Sequence, residues 1–353
     1  MIPYYRALNY VNLGDRQAAQ VEARKAGLIL AESVEALFRG GADDAGAAKN
    51  LERNAFLSYF AGLVFEWSGE VNDAFVAYSN AARAYDADRD RLGVPIPEWL
   101  GDDLRRTGDR LGFGAELRKL QEQIADLGIP DRNPQGPTSQ RGTVALFVEG
   151  GWVPHQVQRT LNLPILSTDR GGDYDAWAAN IALRAGPGWV APYGVSIRYW
   201  LTVALPDLVG GPNDEPLGAR VNVPAAGRGA ESQLIEDLGT RTRMLFDASY
   251  PRVLTRSIVR ALVKWAASEG ARREDEAAGV LVNLLGVLSE KADTRSWLTL
   301  PGGIALVRVD LPPGRYDLEV SYLDAGGRVV ATETISDVDV VAGDWSFYSR
   351  RIF

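Results

Sequence analysis

The chain has 353 residues, of which 46% are apolar and 24% are charged, and its formal net charge is −8. This length suits two or three domains, and the composition is that of an ordinary globular protein. The acidic balance argues against nucleic acid as a partner. The sequence has no Cys and one His, which excludes disulfides, thiolate metal sites and His-rich metal sites, so no cofactor is expected.

The N-terminus lacks the pattern of a secretory leader. Met1 is followed directly by Ile2-Pro3-Tyr4-Tyr5, without a charged segment, an apolar segment or a cleavage site. No run of about 18 apolar residues occurs, so we expect no transmembrane segment. A complete chain of this kind is expected in the cytoplasm, whereas a trimmed N-terminus allows an exported form.

Residues 1–129 are predicted to form a TPR-like helical repeat domain, because Ala, Leu, Glu and Arg dominate and breakers separate the periodic segments. The best copy, residues 56–82, places Gly62 in its first helix, Gly69 at the turn and Tyr78 in its second helix. Residues 5–26 repeat these offsets, and residues 99–127 resemble a third, degenerate copy. The alternative is a generic array of helical hairpins without a groove.

The composition and the hydrophobic pattern of the sequence change after residue 129. Residues 130–142 are rich in Pro, Gly and polar side chains and are predicted to be a linker. Residues 143–301 are predicted to be a mixed α/β region. It has strands at 143–149 and within 189–205, loop-like sequence at 162–188, and three helices within 231–291.

Residues 302–353 are predicted to form an antiparallel β region, either a sheet or a sandwich. Leu318, Val320 and Tyr322 alternate with polar neighbours, as in a strand with one buried face. Further strands are expected at 304–310, 329–335 and 345–352, with a hairpin turn at 324–327. The expected class is therefore α+β, with an N-terminal helical repeat domain, a mixed α/β region and a C-terminal antiparallel β-sheet or sandwich.

Three segments carry a resemblance to a known family. They are YYRALNYVNLGDRQAAQVEARKA, GTVALFVEGGWVPHQVQ and ADTRSWLTLPGGIALVRVDLPPGRYDL. Together they resemble an uncharacterised family of TPR-containing bacterial envelope lipoproteins, often encoded beside lipoproteins similar to the curli secretion channel. The resemblance runs from residue 4 to about residue 318. It implies a periplasmic or outer-membrane-associated setting, protein partners that include envelope lipoproteins, and no known enzymatic activity.

The first helix of each repeat is predicted to line a concave, partner-binding groove. Its inward-facing side chains are unusually apolar for a surface open to solvent, which indicates a binding site. The expected guest is an apolar peptide or helix, for example a missing N-terminal segment of this protein or its C-terminal region. The alternative is that these side chains pack against a neighbouring helix. The groove set is Tyr4, Leu8, Val11, Phe56, Tyr59, Leu63 and Glu66.

Two further features of the sequence have competing interpretations. The segment with Asp293, Arg295 and Trp297 is either an exposed recognition loop with an aromatic anchor or a corner in which Arg295 pairs with Asp293 and Trp297 fills a core. A basic stripe recurs at helical spacing and faces either solvent, an acidic partner or lipid headgroups. The stripe is Arg252, Arg256, Arg260 and Lys264.

No motif in the chain indicates catalysis. His155 is the only His, and no GxSxG elbow, phosphate-binding glycine loop or calcium loop is present. We therefore predict a non-enzymatic scaffold or assembly factor of the cell envelope that binds a protein partner through its repeats. The first alternative is a self-assembling structural subunit, so oligomers are possible, and the second is a hydrolase that uses His155.

Overall fold

The computed structural model describes residues 1–26, 54–131, 134–168, 195–210, 218–274 and 292–352. The chain forms two compact units. Unit 1 comprises Met1–Val153, Gly211–Thr242 and Thr299–Phe353, and unit 2 comprises Pro154–Gly210 and Arg243–Leu298. These boundaries differ from those predicted at 129/130, 142/143 and 301/302. The predicted boundaries all fall inside unit 1, because its strands come from both sides of the inserted segments.

The helices of unit 1 form hairpins joined by tight turns. Gly14, Gly69 and Gly112 lie in these turns with φ of 71°, 87° and 73°, values that favour glycine over other residues. The predicted helical character and the turn at Gly69 are therefore confirmed. The helices are α1 (Ile2–Asn12), α2 (residues 16–26), α3 (Ala55–Trp67), α4 (Val71–Leu92), α5 (Leu100–Leu111) and α6 (Gly114–Gln123).

Helices α3 and α4 cross at a small residue. A methyl group added at Gly62 would overlap the ring of Tyr78, which lies over Gly62 and is fully buried. Asn54 caps α3 by accepting a hydrogen bond of 2.7 Å from the backbone N–H of Leu57. The close approach of the two helices therefore depends on a glycine that the sequence pattern had singled out.

In the part of the chain that the structure describes, ten strands follow the N-terminal helices. They form one two-stranded and two four-stranded sheets. The strands are β1 (Gly142–Gly150), β2 (His155–Thr168), β3 (Val195–Val209), β4 (Gly218–Val223), β5 (Arg228–Glu231), β6 (Gln233–Asp237), β7 (Gly303–Leu311), β8 (Gly314–Leu323), β9 (Val329–Val340) and β10 (Trp345–Arg351).

Unit 1 contains two sheets that pack face to face. The mixed sheet has the order β10-β1-β7-β6, and β10 runs parallel to β1 while the other pairs are antiparallel. The second sheet, β5-β4-β8-β9, is antiparallel throughout. Alternate side chains from both sheets, such as Leu146, Val221, Val307 and Val320, form the core between them.

The opposite face of the mixed sheet packs against the helices of unit 1. Phe147 of β1 contacts Tyr4 of α1 and Phe60 of α3 with ring centroids 6.1 and 5.6 Å apart. Phe347 of β10 contacts Trp67 in the same way. All nine residues of β1 are buried, since this strand lies between the helical layer and the second sheet. Unit 1 is thus built of helices, a mixed sheet and an antiparallel sheet.

The C-terminal prediction was right about the strands and incomplete about their pairing. Strands β7, β8, β9 and β10 lie where the sequence predicts them, and Asp324–Gly327 forms the hairpin turn, with the Gly327 N–H donating to the Asp324 carbonyl. They do not form a separate antiparallel sheet. Strands β7 and β10 flank β1, whereas β8 and β9 extend a sheet that begins at β4.

Unit 2 contains the β2–β3 ribbon and most of the long helix α7 (Leu238–Glu274). Leu201, Val203 and Leu205 of β3 pack with Ala261 of α7 in its core. Residues 162–168, predicted as a loop, belong to β2, because they pair with β3. The third predicted helix, at 275–291, lies outside the described residues.

The two helices predicted between 231 and 267 are wrong in their boundaries. Residues 233–237 form β6, because they pair with β7. The remainder forms the single helix α7, which continues through Pro251 although an internal proline removes one backbone hydrogen bond. The Thr255 hydroxyl donates to the Pro251 carbonyl at 2.8 Å, within the next turn. Packing of this turn on the ribbon favours a continuous helix over a break at the proline.

We expect Gly62→Ala to destabilise the protein by about 1–3 kcal/mol, because the added methyl group forces the α3–α4 crossing apart. Gly114→Ala, at the start of α6, is the matched control, since the nearest atom to its new methyl is 3.8 Å away. Denaturant unfolding followed by circular dichroism measures both free energies. Equal stability of the two variants would contradict the proposed role of the crossing.

Candidate functional site

The predicted groove is present as a surface, but it is not open. Every one of its side chains is at most 9% exposed, so the prediction of an accessible partner-binding groove is wrong for this arrangement of the chain. Strands β1 and β7 occupy the position expected for a guest, and β7 lies entirely in the predicted C-terminal region, residues 302–353. The buried side chains are Tyr4, Leu8, Val11, Phe56, Tyr59, Leu63 and Glu66.

Tyr4 and its neighbour Tyr5 hold a buried carboxylate of the sheet. The two hydroxyls donate to Oε1 and Oε2 of Glu149, each at 2.9 Å. Burial raises the pKa of Glu149, while the two tyrosine hydrogen bonds and Arg351 act in the opposite direction. Burial also raises the pKa of the Tyr4 hydroxyl, so it remains a donor at physiological pH.

Tyr59 belongs to a charged network between the helices and β7. The Arg308 guanidinium donates from Nη1 to Oδ2 of Asp103 at 2.8 Å and to the Tyr59 hydroxyl at 3.0 Å. The Tyr59 hydroxyl in turn donates to Oδ2 of Asp103 at 3.0 Å. The side chain of Arg308 is 2% exposed and that of Asp103 is 0% exposed, so this ion pair is excluded from water.

Glu66, the polar member of the predicted groove, joins the same network. It accepts hydrogen bonds of 2.6 and 2.8 Å from Nε and Nη2 of Arg106, and one of 2.8 Å from the Tyr78 hydroxyl. Nη2 of Arg106 also donates to Oδ1 of Asp103 at 2.7 Å. We call these two carboxylates and two arginines, Glu66, Asp103, Arg106 and Arg308, the buried charge network.

The buried charge network is electrically balanced, and each of its side chains is at most 9% exposed. Two acidic and two basic side chains compensate one another, which offsets the cost of removing each charge from water. Its members come from α3, α5 and β7, so it fixes the helices against the sheet. Sequence reasoning found Glu66 but missed Asp103, Arg106 and Arg308, because nothing local distinguishes them from surface charges.

The predicted recognition loop lies in unit 2 and is exposed. Asp293 and Arg295 form an ion pair of 2.7 Å, as the corner interpretation predicts. Their hydrogen bonds lower the pKa of Asp293 to about 2. Trp297 is 44% exposed, so it does not fill a core as that interpretation expects. The loop combines the local pairing of a corner with the accessible aromatic ring of a recognition loop.

Helix α7 presents two contrasting faces within unit 2. Leu254, Ile258 and Trp265 pack with Ala261 on the core formed with the ribbon. On the other side, three apolar residues are exposed by 53%, 41% and 63%, beside exposed members of the predicted basic stripe. We call this the apolar-basic face of α7, and it consists of Arg256, Val259, Arg260, Leu262 and Val263.

The other predicted features give no assembled chemical site among the described residues. His155 begins β2, and no hydrogen bond connects its ring to a Ser, Asp or Glu side chain in the described part of the chain. Within the same residues, no group of three His, Asp or Glu side chains has the arrangement of a metal site. None of the described helices combines the length and apolar character needed to cross a membrane.

Comparison of the chain with protein-family models, curated proteins and solved structures finds no match.

We expect Asp103→Asn to destabilise the protein by about 3–5 kcal/mol, because it leaves a buried positive charge uncompensated. Asp109→Asn on the same helix removes an exposed partner of Arg105 and should change stability by less than about 1 kcal/mol. Adding Arg308→Met to Asp103→Asn should restore part of the loss, since it removes the unpaired charge. Equilibrium unfolding of the three proteins measures these differences, and equal effects at positions 103 and 109 would be inconsistent with a stabilising network.

The raised pKa of Glu149 predicts a pH dependence of stability. A folded-state pKa above the unfolded value means that the folded protein holds this proton more tightly. The contribution of Glu149 to the stability of the folded protein is therefore largest below its pKa in the unfolded chain, about 4.3. This contribution is lost as the pH rises through the pKa in the folded protein. Glu149→Gln should remove this loss of stability, so the free energy of unfolding of the variant increases relative to that of the native protein as the pH rises above about 4.

Thermal unfolding across this pH range checks the prediction. Glu122→Gln on the exposed side of α6 is the control for the loss of one negative charge. If the profiles of the native protein and Glu149→Gln stay parallel, the ionisation of Glu149 is not coupled to folding.

Proposed function

We propose that this protein is a non-enzymatic scaffold or assembly factor of the bacterial cell envelope that binds a protein partner. The envelope setting, periplasmic or outer-membrane-associated, rests on the resemblance carried by residues 4–26, 142–158 and 292–318. The absence of an assembled catalytic or metal-ligand group among the described residues leaves binding as the activity with the best support.

The N-terminal hairpins are proposed to be TPR-like repeats with an internal role. The glycine turns and the small residue at the α3–α4 crossing support this assignment. The side chains that a TPR array would offer to a partner here contact β1 and β7 of the same chain. We therefore propose that the repeats hold the sheet in place and that partner binding takes place elsewhere.

The observation that carries the proposal is the apolar-basic face of α7. Val259, Leu262 and Val263 are exposed together, although isolated soluble proteins seldom leave adjacent apolar side chains bare. The segment from Pro251 to Trp265 contains four basic and no acidic residues in a chain of net charge −8. Charge complementarity favours a protein partner that presents acidic side chains around an apolar patch.

A second candidate function is self-assembly into a larger structural complex. The β2–β3 ribbon has no third strand on either side among the described residues. The outer edges of such a ribbon present backbone donors and acceptors that can pair with another strand. A second copy of this chain supplies such a strand without any further component.

Crosslinking in cells of the source organism tests the first candidate. A photoreactive amino acid at position 262 should crosslink to a distinct protein of acidic surface, whereas the same group at the exposed Val330 of unit 1 should not. Val259→Ser with Val263→Ser should weaken binding of that purified partner about tenfold or more, because both side chains lose apolar burial. Their exposure predicts little change in the unfolding temperature.

The mass in solution separates the two candidates. A monomeric mass by light scattering, together with a 262-specific crosslink to another protein, supports the scaffold. A mass that grows with concentration, with crosslinks only between copies of this chain, supports self-assembly. Identical crosslinks from positions 262 and 330 would argue against the apolar-basic face as a binding surface.

A further inference from the structure

A polar cleft of about 580 Å³ opens in unit 1 at the edge of β7. Strand β6 pairs with β7 only as far as Leu306, so the last residues of β7 have no strand partner on that side among the described residues. The start of α5 forms one wall with Trp99, and the turn into β5 forms another with Gly227 and Arg228. The volume is in the range of sites for small organic molecules.

Arg308 lines this cleft with unsatisfied hydrogen-bonding capacity. Its Nη1 serves the buried charge network, but Nε and Nη2 are buried and have no hydrogen-bond partner among the described residues. Nε and Nη2 are the two parallel donors of the side-on fork with which arginine binds carboxylates. Burying a charged donor without a hydrogen-bond partner costs free energy. The lack of partners for both Nε and Nη2 of Arg308 therefore requires an explanation.

Two tryptophans place the guanidinium at the wall of the cleft. Its central carbon lies 5.6 Å from the ring of Trp99, which lines the cleft, and 4.6 Å from the ring of Trp345. The aromatic rings and Asp103 hold the guanidinium in one orientation. The fork is therefore preorganised at the wall of the cleft, which lowers the cost of ordering it when a ligand binds.

The charges around the cleft favour a ligand with a single negative charge. Arg141, Arg228 and Arg308 are balanced formally by three acidic residues of the lining, Glu98, Glu231 and Asp310. Two of these acids already have partners. Asp310 accepts from the Thr143 hydroxyl at 2.6 Å and lies 3.4 Å from Nε of Arg141, and Glu231 accepts from Arg220. A multiply charged phosphate would be repelled more strongly by these acids than a monocarboxylate.

We propose that this cleft binds a small organic monocarboxylate, whose two oxygens accept from Nε and Nη2 of Arg308. Arg228, which is exposed at the rim and makes no ion pair within the described residues, adds long-range attraction. Glu98 is positioned at the lining to accept a hydrogen bond from a donor group of the same ligand. This site is independent of the apolar-basic face of α7.

Titration of the full chain with sodium acetate, benzoate and inorganic phosphate tests the proposal. Each is compared with chloride at equal ionic strength. We expect benzoate and acetate to raise the unfolding temperature saturably and to shift the indole N–H resonances of Trp99 and Trp345 in NMR spectra. Arg308→Lys keeps a positive charge beside Asp103 but lacks the fork, and should weaken carboxylate binding about tenfold or more.

Arg228→Gln provides a second variant that does not depend on the buried network. Since Arg228 is exposed, this protein should fold normally and bind benzoate several-fold more weakly, with a smaller salt dependence. Arg118→Gln, an exposed change on α6, is its control and should bind like the native chain. The proposal is overturned if no carboxylate saturates, if phosphate alone binds, or if Arg228→Gln leaves the affinity unchanged.

Discussion

The ion pair between Arg308 and Asp103 is the contact on which unit 1 depends. It joins the central strand β7 to α5 in a place that water does not reach. A buried charge is tolerated only when its partner is held in good geometry, so the pair requires the helices and the sheet to keep one relative position. Arg106 and Glu66 extend this requirement to α3. The network thus adds a directional constraint to the apolar packing between the helices and the mixed sheet.

The same contact contributes to covering the helical surface that the sequence predicts as a partner-binding groove. A concave array of helices leaves an apolar face that must be covered. In this chain β1 and β7 cover it, with Phe147 packed against Tyr4 and Phe60 and with Arg308 reaching Tyr59. The helical hairpins thus contribute to the core of unit 1, and the surfaces that we propose for binding are the exposed face of α7 in unit 2 and the polar cleft of unit 1. The proposed scaffold function thus assigns a structural role to the helices and sheets of unit 1 and partner binding to the apolar-basic face of α7.

Helix α7 contributes residues to both units. Its first turns belong to unit 1, where Arg241 forms a buried ion pair of 2.9 Å with Glu236, and the rest belongs to unit 2. Among the described residues of unit 2, Leu201, Val203 and Leu205 pack against one face of the helix. The opposite face keeps Val259 and Val263 exposed. A partner that covers these apolar side chains in the folded state would stabilise the protein by mass action.

The sequence by itself determined the local elements. Gly69 predicted a turn because glycine readily adopts a positive φ, and the alternation of Leu318, Val320 and Tyr322 predicted β8 because strands have a period of two. Only the tertiary structure decided the parallel pairing of β10 with β1, the strand character of residues 162–168 and the continuation of α7 through Pro251. Only the tertiary structure placed β1 and β7 against the predicted groove. It also brought Arg308 within hydrogen-bond distance of Asp103, which lies 205 residues away in the sequence. Such pairings depend on which distant segments meet, and no local period or turn signal in a single sequence encodes that meeting.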